Sequence, residues 1–403
     1  MVKRTVKDIA VGGKRVLVRV DFNVPLDKAT GAITDDSRIR AVLPTIKYLV
    51  ERGAKTILCS HLGRPDGKVC EGLRLGAVGE RLAQILGQPV AVAKECVGPV
   101  AEEAARKVKR GGVLLLENVR FHTEEEENDS DFALALSRLA EIYVNDAFGV
   151  SHRAHASVVG ITTYLPSVAG FLVEKEISIL GSLLEAPPRP FGALLGGAKI
   201  SDKVGMLENA MDKVDVLLIG GGMAATFLTA KSYKVGRSLV EPDRVETAAT
   251  IMERVSRNGV RLLLPVDVVV VEEINAEAET MTVPAWKIPS GYRIVDIGPQ
   301  TVKDFTRELR KCRTVFWNGP MGVYEVAKFG EGTRSLARFL AGSSATTIIG
   351  GGSTAEVIDQ MKLTDCMSFV STGGGASLSF LGGEALPGID ALPDKVKAAA
   401  GTR

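Results

Sequence analysis

The chain is predicted to be an α/β protein of two domains, each built on a doubly wound parallel sheet. Three observations carry this prediction. The 403 residues exceed what one hydrophobic core ordinarily serves. Short β-branched runs alternate with helical patterns from end to end, the order of successive βαβ units. In the second half, three apolar runs end in triple glycines, a turn that can lead a parallel strand into a helix.

In the first half the patterning predicts strands over Arg15–Val20, Lys55–Ser60, Gly112–Leu116 and Glu141–Val144, with helices over Arg38–Arg52 and Gly76–Leu86. In the second half strands are expected at Phe191–Leu195, Asp215–Ile219, Thr314–Trp317, Ala345–Ile349 and Ser368–Ser371. Helices are expected at Ser201–Met211, Gly222–Lys231 and Ser353–Met361. The richest proline cluster, Glu185–Pro190, follows a helix-like stretch from Gly170 to Leu184. The linker is therefore set at about residue 170, with that helix as the connecting element. Asp394–Arg403 reads as a terminal helix or tail.

Composition removes several function classes. A formal net charge of +2 makes no field strong enough for nucleic acid or a membrane surface, so neither is expected as a partner. Anions must be bound at focused sites instead. The five cysteines, Cys59, Cys70, Cys96, Cys312 and Cys366, are odd in number and show no C-x-x-C spacing. Reduced packing thiols in a cytoplasmic protein are the reading, with no disulfide framework and no zinc site. No apolar stretch reaches the ~18–20 residues of a membrane span, and the charged first ten residues lack the apolar core of a signal peptide.

The glycine turns are Leu217-Leu-Ile-Gly-Gly-Gly222, Thr347-Ile-Ile-Gly-Gly-Gly352 and Val370-Ser-Thr-Gly-Gly-Gly375. Free N–H groups and the dipole at a following helix start attract phosphate. One such cluster is equally a plain strand-to-helix turn, but three in one half argue for phosphate. None fits G-x-G-x-x-G, which removes a nicotinamide dehydrogenase. Gly63–Lys68 is one residue short of a P-loop and is set aside. Gly196-Gly-Ala-Lys-Ile-Ser-Asp-Lys203 adds two lysines four apart, a spacing that on a helix puts both ammonium groups near one face.

Cations of the first half cluster after strand ends. Arg38 opens a helix, His61 and Arg64 follow one strand, Arg120 follows another, and Arg153 follows a third. All four histidines, His61, His122, His152 and His155, lie in the same half. Each alone is an ordinary surface or packing residue. Together they suggest a pocket for an anion carrying carboxylate and phosphate, and no spacing supports a metal instead.

Here the chain resembles a family. Val18-Arg-Val-Asp-Phe-Asn-Val-Pro25, Ser60-His-Leu-Gly-Arg-Pro65, Glu117-Asn-Val-Arg-Phe121 and Asn145-Asp-Ala-Phe-Gly149 with His152-Arg-Ala-His155 look like phosphoglycerate kinase. So do Gly196–Lys203, Trp317-Asn-Gly-Pro320 and Ser371-Thr-Gly-Gly-Gly-Ala376, in order over nearly the whole chain. The resemblance implies two Rossmann-like domains joined by a helical hinge. Residues 1–169 would bind phosphoglycerate, with a tail from about 387 to 403 packing back on them, and 170–386 would bind nucleotide. It implies that Asp21, Phe22, Asn23, Arg38, His61, Leu62, Gly63, Arg64, Arg120 and Arg153 hold the acid. Gly197, Ala198, Lys199, Lys203, Gly221, Ile294, Asn318, Pro320, Glu325, Gly351, Gly352, Ser353 and Thr354 would hold ADP or ATP. Glu325 would take the ribose hydroxyls. Arg38, Lys199, Gly352 and Gly374 would serve the transfer itself, from 1,3-bisphosphoglycerate to ADP, giving 3-phosphoglycerate and ATP. Magnesium would arrive with the nucleotide, and a monomer is expected.

Such a reaction needs no general base, because a carboxylate or a β-phosphate oxygen is already an anion. Alignment and charge neutralisation remain, together with exclusion of water from an acyl phosphate, for which closure at a hinge is expected. Two positions depart from the family's pattern. The turn Gly350-Gly-Gly-Ser353 has Ser where Asp normally helps place the metal. Ser353-Thr-Ala-Glu356 also reads as a capping box with Ser353 as N-cap. Ile294 stands where Gly is common near the adenine. An inactive nucleotide-binding relative is the rival that Ser353 raises. The acidic run Thr123-Glu-Glu-Glu-Glu127 reads as solvated surface without a role in the chemistry, and Phe121 as core.

Overall fold

A computed structural model describes residues 2–27, 29–210 and 213–395. They fall into two compact units, one formed by residues up to 181 together with those from 385 onward, the other by 182–384. The helix Phe171–Glu185 contains the point of division.

The first unit carries β1 (Arg15–Arg19), β2 (Lys55–Cys59), β3 (Val90–Val92), β4 (Val113–Leu115), β5 (Ile142–Asn145) and β6 (Ser167–Ala169). They form one parallel sheet in the order β3-β4-β2-β1-β5-β6. Four of β1's five residues and four of β2's are buried, as expected of strands covered on both faces. Val18, Leu58 and Val144 lie in one cluster with Ile46 and Leu49, which the helix Leu43–Glu51 presents three residues apart. The chain winds away from β1 through β2, β3 and β4, then returns to its other side as β5. The strand order therefore reverses beside β1, where parallel sheets bind ligands.

The second unit repeats the plan. β7 (Phe191–Leu195), β8 (Val216–Ile219), β9 (Arg261–Leu263), β13 (Thr314–Asn318), β14 (Thr346–Gly350) and β15 (Phe369–Val370) pair in parallel in the order β15-β14-β13-β7-β8-β9. Here the reversal lies between β7 and β13. Its core holds Trp317, Ile349, Leu336 and Phe305. A small antiparallel sheet, β10 (Asp267–Val271), β11 (Met281–Pro284) and β12 (Arg293–Ile297), is inserted between β9 and β13 in the order β11-β10-β12.

The expected strands form with ends moved by a residue or so, and the helix Gly76–Leu86 has the expected bounds. The helix expected over Arg38–Arg52 is two, Ser37–Ala41 and Leu43–Glu51, parted at Val42. Pro44 has no N–H to donate to the carbonyl four residues back, so it sits in the first turn of a new helix. The helix expected from Ser201 begins with a 3₁₀ turn, Ser201–Lys203, and becomes α-helical over Val204–Ala210. Met211 lies outside the described residues. The short edge strands β3, β6 and β9, the antiparallel sheet and the amphipathic helices Val245–Arg257, Pro299–Leu309 and Glu331–Ala341 were not expected from the sequence.

Near the C-terminus, Gly388 donates its N–H to Ser151 O at 2.9 Å and accepts from Asn145 Nδ2 at 2.9 Å. Lys3 Nζ donates to Leu392 O at 2.8 Å. The remainder of the expected tail, 396–403, lies outside the described residues. No helix among the described residues is long and apolar enough to cross a membrane.

The start of the helix Phe171–Glu185 is capped from afar. Asp146 Oδ1 accepts the N–H groups of Leu172 at 2.9 Å and Val173 at 3.3 Å, and Thr45 Oγ1 accepts that of Phe171 at 2.9 Å. Burial pushes the Asp146 carboxyl from 3.8 up to about 7, against the bonds from Thr45, Val173 and Leu172. The folded chain therefore holds a proton that the unfolded chain has lost, and stability falls as pH rises from about 4 to about 7. Asp146→Asn keeps an oxygen for both amides and cannot ionise. Urea titrations across this range should show the variant losing less stability than the parent, by on the order of 4 kcal/mol. Asp296, pushed up to about 7 by its own burial, keeps its share of the slope. Parallel pH curves for variant and parent would refute the assignment.

Candidate active site

In the first unit, the loops after β1, β2, β4 and β5 place cations and two carboxylates at one end of the sheet. The register sets this, since Arg19 of β1 is aligned with Cys59 of β2 and Asn145 of β5. Phe22 is fully buried and donates its N–H to Ser60 Oγ at 2.9 Å. Asn23 Oδ1 accepts the N–H of Gly63 at 2.8 Å, tying the first loop to the second. The carbonyl of buried Leu62 accepts from Asn118 Nδ2 at 2.8 Å, and that of Gly63 accepts from Arg120 Nη1 at 3.0 Å.

Asp21 is the hub of the expected residues. Its Oδ2 accepts from Arg38, and its Oδ1 lies 3.8 Å from His61 Nδ1. Burial pushes its pKa up, but Arg38, His61 and Arg19 together outweigh burial and hold the carboxyl below its ordinary value. His61 is held well below the ordinary histidine value, first by burial and then by Arg19, Arg120 and Arg38, against the pull of Asp21. It is therefore neutral near pH 7. Arg120 is 3% exposed, and its Nη2 has no hydrogen-bond acceptor among the described residues. Its Nε lies 3.1 Å from Glu126 without hydrogen-bond alignment. Arg153, half-buried, donates to His152 Nε2 at 3.2 Å and is close enough to depress Arg120. Arg64 is exposed. Among the histidines, His122 lies apart from the arginines, 3.7 Å from Glu95 and against the ring of Phe132.

Two charged residues of this cluster were missed. Arg19 is fully buried, donating from Nε to Ser157 Oγ at 2.7 Å and from Nη1 to Val20 O. An arginine between two valines, Val18 and Val20, was the signal available in the sequence. Glu125 corrects the reading of 123–127 as solvated surface. Its side chain is 0% exposed and accepts from Ser157 N at 2.8 Å and Ser157 Oγ at 2.6 Å. Glu126 stays exposed, with its carboxylate 3.1 Å from Arg120 Nε. Four acids in a row look alike in sequence, and only the fold selects one for the interior. Phe121 is core as expected.

In the second unit the turns carrying Gly197, Gly221, Asn318, Pro320, Gly351 and Thr354 meet where the order reverses. Gly196 N–H donates to Asn318 O at 2.9 Å, and Gly197 N–H to Pro320 O at 2.8 Å. Gly319 has φ +91°, and a Cβ there would fall 2.3 Å from Gly196 O. Only glycine lets these two backbones pass so closely. Gly221 N–H donates to Met321 O at 3.0 Å, which joins the turn after β8 to the same place. Gly351, φ +90°, passes beside Asn318, whose Nδ2 is buried with no acceptor among the described residues. Thr354 Oγ1 accepts from Gly319 N at 2.7 Å. Gly374 lies against Gly351 and the amide of Gly352, so the turns after β14 and β15 also meet.

Lys199 and Lys203 do not share an environment. Lys199 is exposed ahead of the 3₁₀ turn, whereas Lys203 is buried with its ammonium against Gly197. Burial pulls the Lys203 pKa down, opposed by Asp202. Ala198 and Glu325 are exposed. Ile294, on β12, packs half-buried beside Val268, Val270 and Tyr292. Ser353 is not an N-cap. The helix spans Gly352–Gln360 with Gly351 as its cap and no side-chain capping bond. Because Gly351 makes the turn, Ser353 falls inside the first helical turn. Its hydroxyl bonds Tyr324, whose own hydrogen goes to Glu356 at 3.0 Å. No cluster of three metal-ligating side chains occurs among the described residues.

Gly319→Ala should cost more than about 3 kcal/mol, from positive φ and steric clash together. Gly352 meets nothing within 4 Å of a built Cβ, so Gly352→Ala should melt within a few degrees of the parent. Thermal unfolding of the pair tests the turn geometry, and equal losses would refute it.

The family model described as phosphoglycerate kinase matches residues 6–384. The phosphoglycerate kinase of Roseiflexus castenholzii is 53% identical over 396 residues, covering 98% of this chain and all of that one. That of Herpetosiphon aurantiacus is 54% identical over 395 residues, with the same coverage. Among solved structures, phosphoglycerate kinase from Coxiella burnetii superposes with a TM-score of 0.84 at 39% identity, over 96% of this chain and 98% of that one. The Pyrococcus horikoshii enzyme gives 0.86 at 34%, with the same coverage. With the ordered motifs, both sheets and the full-length likeness agreeing, the chain belongs to the phosphoglycerate kinase family.

Proposed function

We propose that this chain catalyses reversible phosphoryl transfer between 1,3-bisphosphoglycerate and ADP, giving 3-phosphoglycerate and ATP. The observation that carries the reading is the pair of preorganised anion sites. One is the guanidinium and imidazole cluster around Asp21 and Arg120, the other the glycine turns around Asn318. In the ATP-forming direction a β-phosphate oxygen of ADP attacks phosphorus, the bond to the acyl oxygen breaks, and the carboxylate leaves. No proton moves. A base is therefore unnecessary.

In this reading the first unit holds the acid. Arg120, with an unpartnered buried Nη2, and Arg153 take its anionic groups. Asn23 and Asp21 fix the loops around it, and Arg38, oriented by Asp21, neutralises the carboxylate as it forms. The second unit holds the nucleotide. Amides at the helix starts after Gly351 and Gly373 meet the phosphates, Asn318 Nδ2 adds a donor, and Lys199 and Lys203 supply charge. Glu325 takes the ribose, and Ile294 lines the base. Magnesium enters as part of the nucleotide. The turn at Ser353 offers a hydroxyl and no carboxylate, which suits a metal held chiefly by phosphate oxygens, where it offsets their charge. Five unpaired cysteines are consistent with a reducing cytoplasm, and we assign a monomer.

A coupled assay with 3-phosphoglycerate and MgATP tests the activity. Arg38→Ala should lose two orders of magnitude or more in kcat, about the cost of one donor aimed at the transition state, in protein that circular dichroism shows to be folded. An unaffected kcat would remove Arg38 from the chemistry. Because an acyl phosphate must be kept from water, we also assign a closing motion to the two units when both ligands bind. Small-angle scattering should show a smaller radius of gyration with both ligands than with either. An unchanged radius would refute closure.

A further inference from the structure

The residues that touch the acid in this reading rest on a second layer of buried polar groups with no part in it so far. Glu125, Ser157 and Arg19 form that layer, all fully buried. Arg19 Nε donates to Ser157 Oγ at 2.7 Å, so the Ser157 hydroxyl hydrogen is free to point at Glu125 Oε1, 2.6 Å away. Ser157 N–H donates to Oε2 at 2.8 Å, and Arg19 Nη2 lies 4.0 Å from Oε1. The groups hydrogen-bonded to the two oxygens, the Ser157 amide and hydroxyl, both present hydrogens, and the nearby Arg19 guanidinium adds positive charge. Glu125 is therefore a carboxylate here, although burial raises its pKa against Arg19, Ser157 and Arg120. It is the counter-charge that lets a guanidinium sit at zero exposure.

Arg19 in turn has Nη2 3.4 Å from His61 Nδ1. A guanidinium nitrogen offers only hydrogens, so this contact requires a lone pair on Nδ1. Asp21 Oδ1, the competing partner, is farther at 3.8 Å. The one proton of neutral His61 is thereby assigned to Nε2, the ring nitrogen left to donate to a ligand. Resting on the reading above, we propose that Glu125 is a positioning residue which, through Ser157 and Arg19, fixes His61 as the neutral Nε2–H tautomer that donates to the acid substrate. The groups facing His61 are Asp21, Arg19, Arg38 and Arg120. Those facing Glu125 are Arg19, Arg120 and His155, with Cys59, Cys96 and Tyr143 alongside. A neutral histidine donor costs less to bury among arginines than a charged one, and it still offers an N–H to an anionic oxygen.

Nitrogen NMR of the full chain labelled at histidine, with His61 assigned by comparison with His61→Gln, reads the tautomer directly. The parent should show the Nε2–H form from pH 6 to 8. In Glu125→Gln and in the milder Ser157→Ala the Nδ1–H form should appear. KM for 3-phosphoglycerate should rise about tenfold, the scale of one hydrogen bond to a charged group, while KM for MgATP stays within about twofold. An Nδ1–H tautomer in the parent would overturn the proposal. So would folded variants with an unchanged His61 signal, or a rise in both KM values together, which a merely structural role predicts. Should the parent transfer no phosphoryl group, the functional reading falls, while the His61 spectrum still decides whether Glu125 sets the tautomer.

Discussion

A site meant for a multiply charged anion must keep its cations in place and dry before the anion arrives, and on the proposed reading the first unit is organised by that constraint. Arg19 and Arg120 are almost wholly buried at the ends of parallel strands, beside a neutral His61. Cations so close repel one another and have lost much of their hydration. Two interior carboxylates offset this. Asp21 answers Arg38, and Glu125 answers Arg19. The balance is deliberately incomplete, because Arg120 retains a buried donor without an acceptor among the described residues. An anion that supplies that acceptor gains more than it would from a solvated arginine.

On the same reading the second unit reaches a similar end with backbone. Its donors are amides at helix starts, and they come together because glycines let the turns after β7, β8, β13, β14 and β15 touch. At Gly319 the approach to Gly196 leaves no room for a Cβ. Side-chain rotamers play little part, so the cradle loses little entropy on binding. The cost falls on folding, since glycine gives up the most conformational freedom.

Much of this was legible in sequence where a local rule acts alone. β-branched runs located the central strands, and Gly-Gly-Gly after an apolar run located three turns. Pro44 carried the information that would have divided the helix at Val42. The edge strands were hidden by length, since three residues such as Val90–Val92 have no period to detect. The helix Val245–Arg257 has a clear apolar stripe through Ala248, Ile251 and Val255, and the run of valines in β10 marks a strand. Glu125 is of another kind. No local feature separates it from Glu124, Glu126 or Glu127, because its burial depends on Ser157 and Arg19, residues far away in the chain. Ser353 shows the reverse error. A capping box is a local pattern, and the positive φ of Gly351 overrules it.

If the two sites take the ligands proposed for them, the contrast between them follows from what each must discriminate. A triphosphate chain is a row of similar oxygens, and amides held by rigid turns suit it. A three-carbon acid carries a carboxylate at one end and a phosphate at the other, so its site must fix direction as well as charge. Guanidinium planes and a histidine of set tautomer supply direction, because their hydrogens point along defined lines. Such lines are only as good as whatever holds the side chains. A layer of buried hydrogen bonds behind Arg19 and His61 is therefore what a direction-reading site requires, and a cradle of amides does without it because the backbone is its own support.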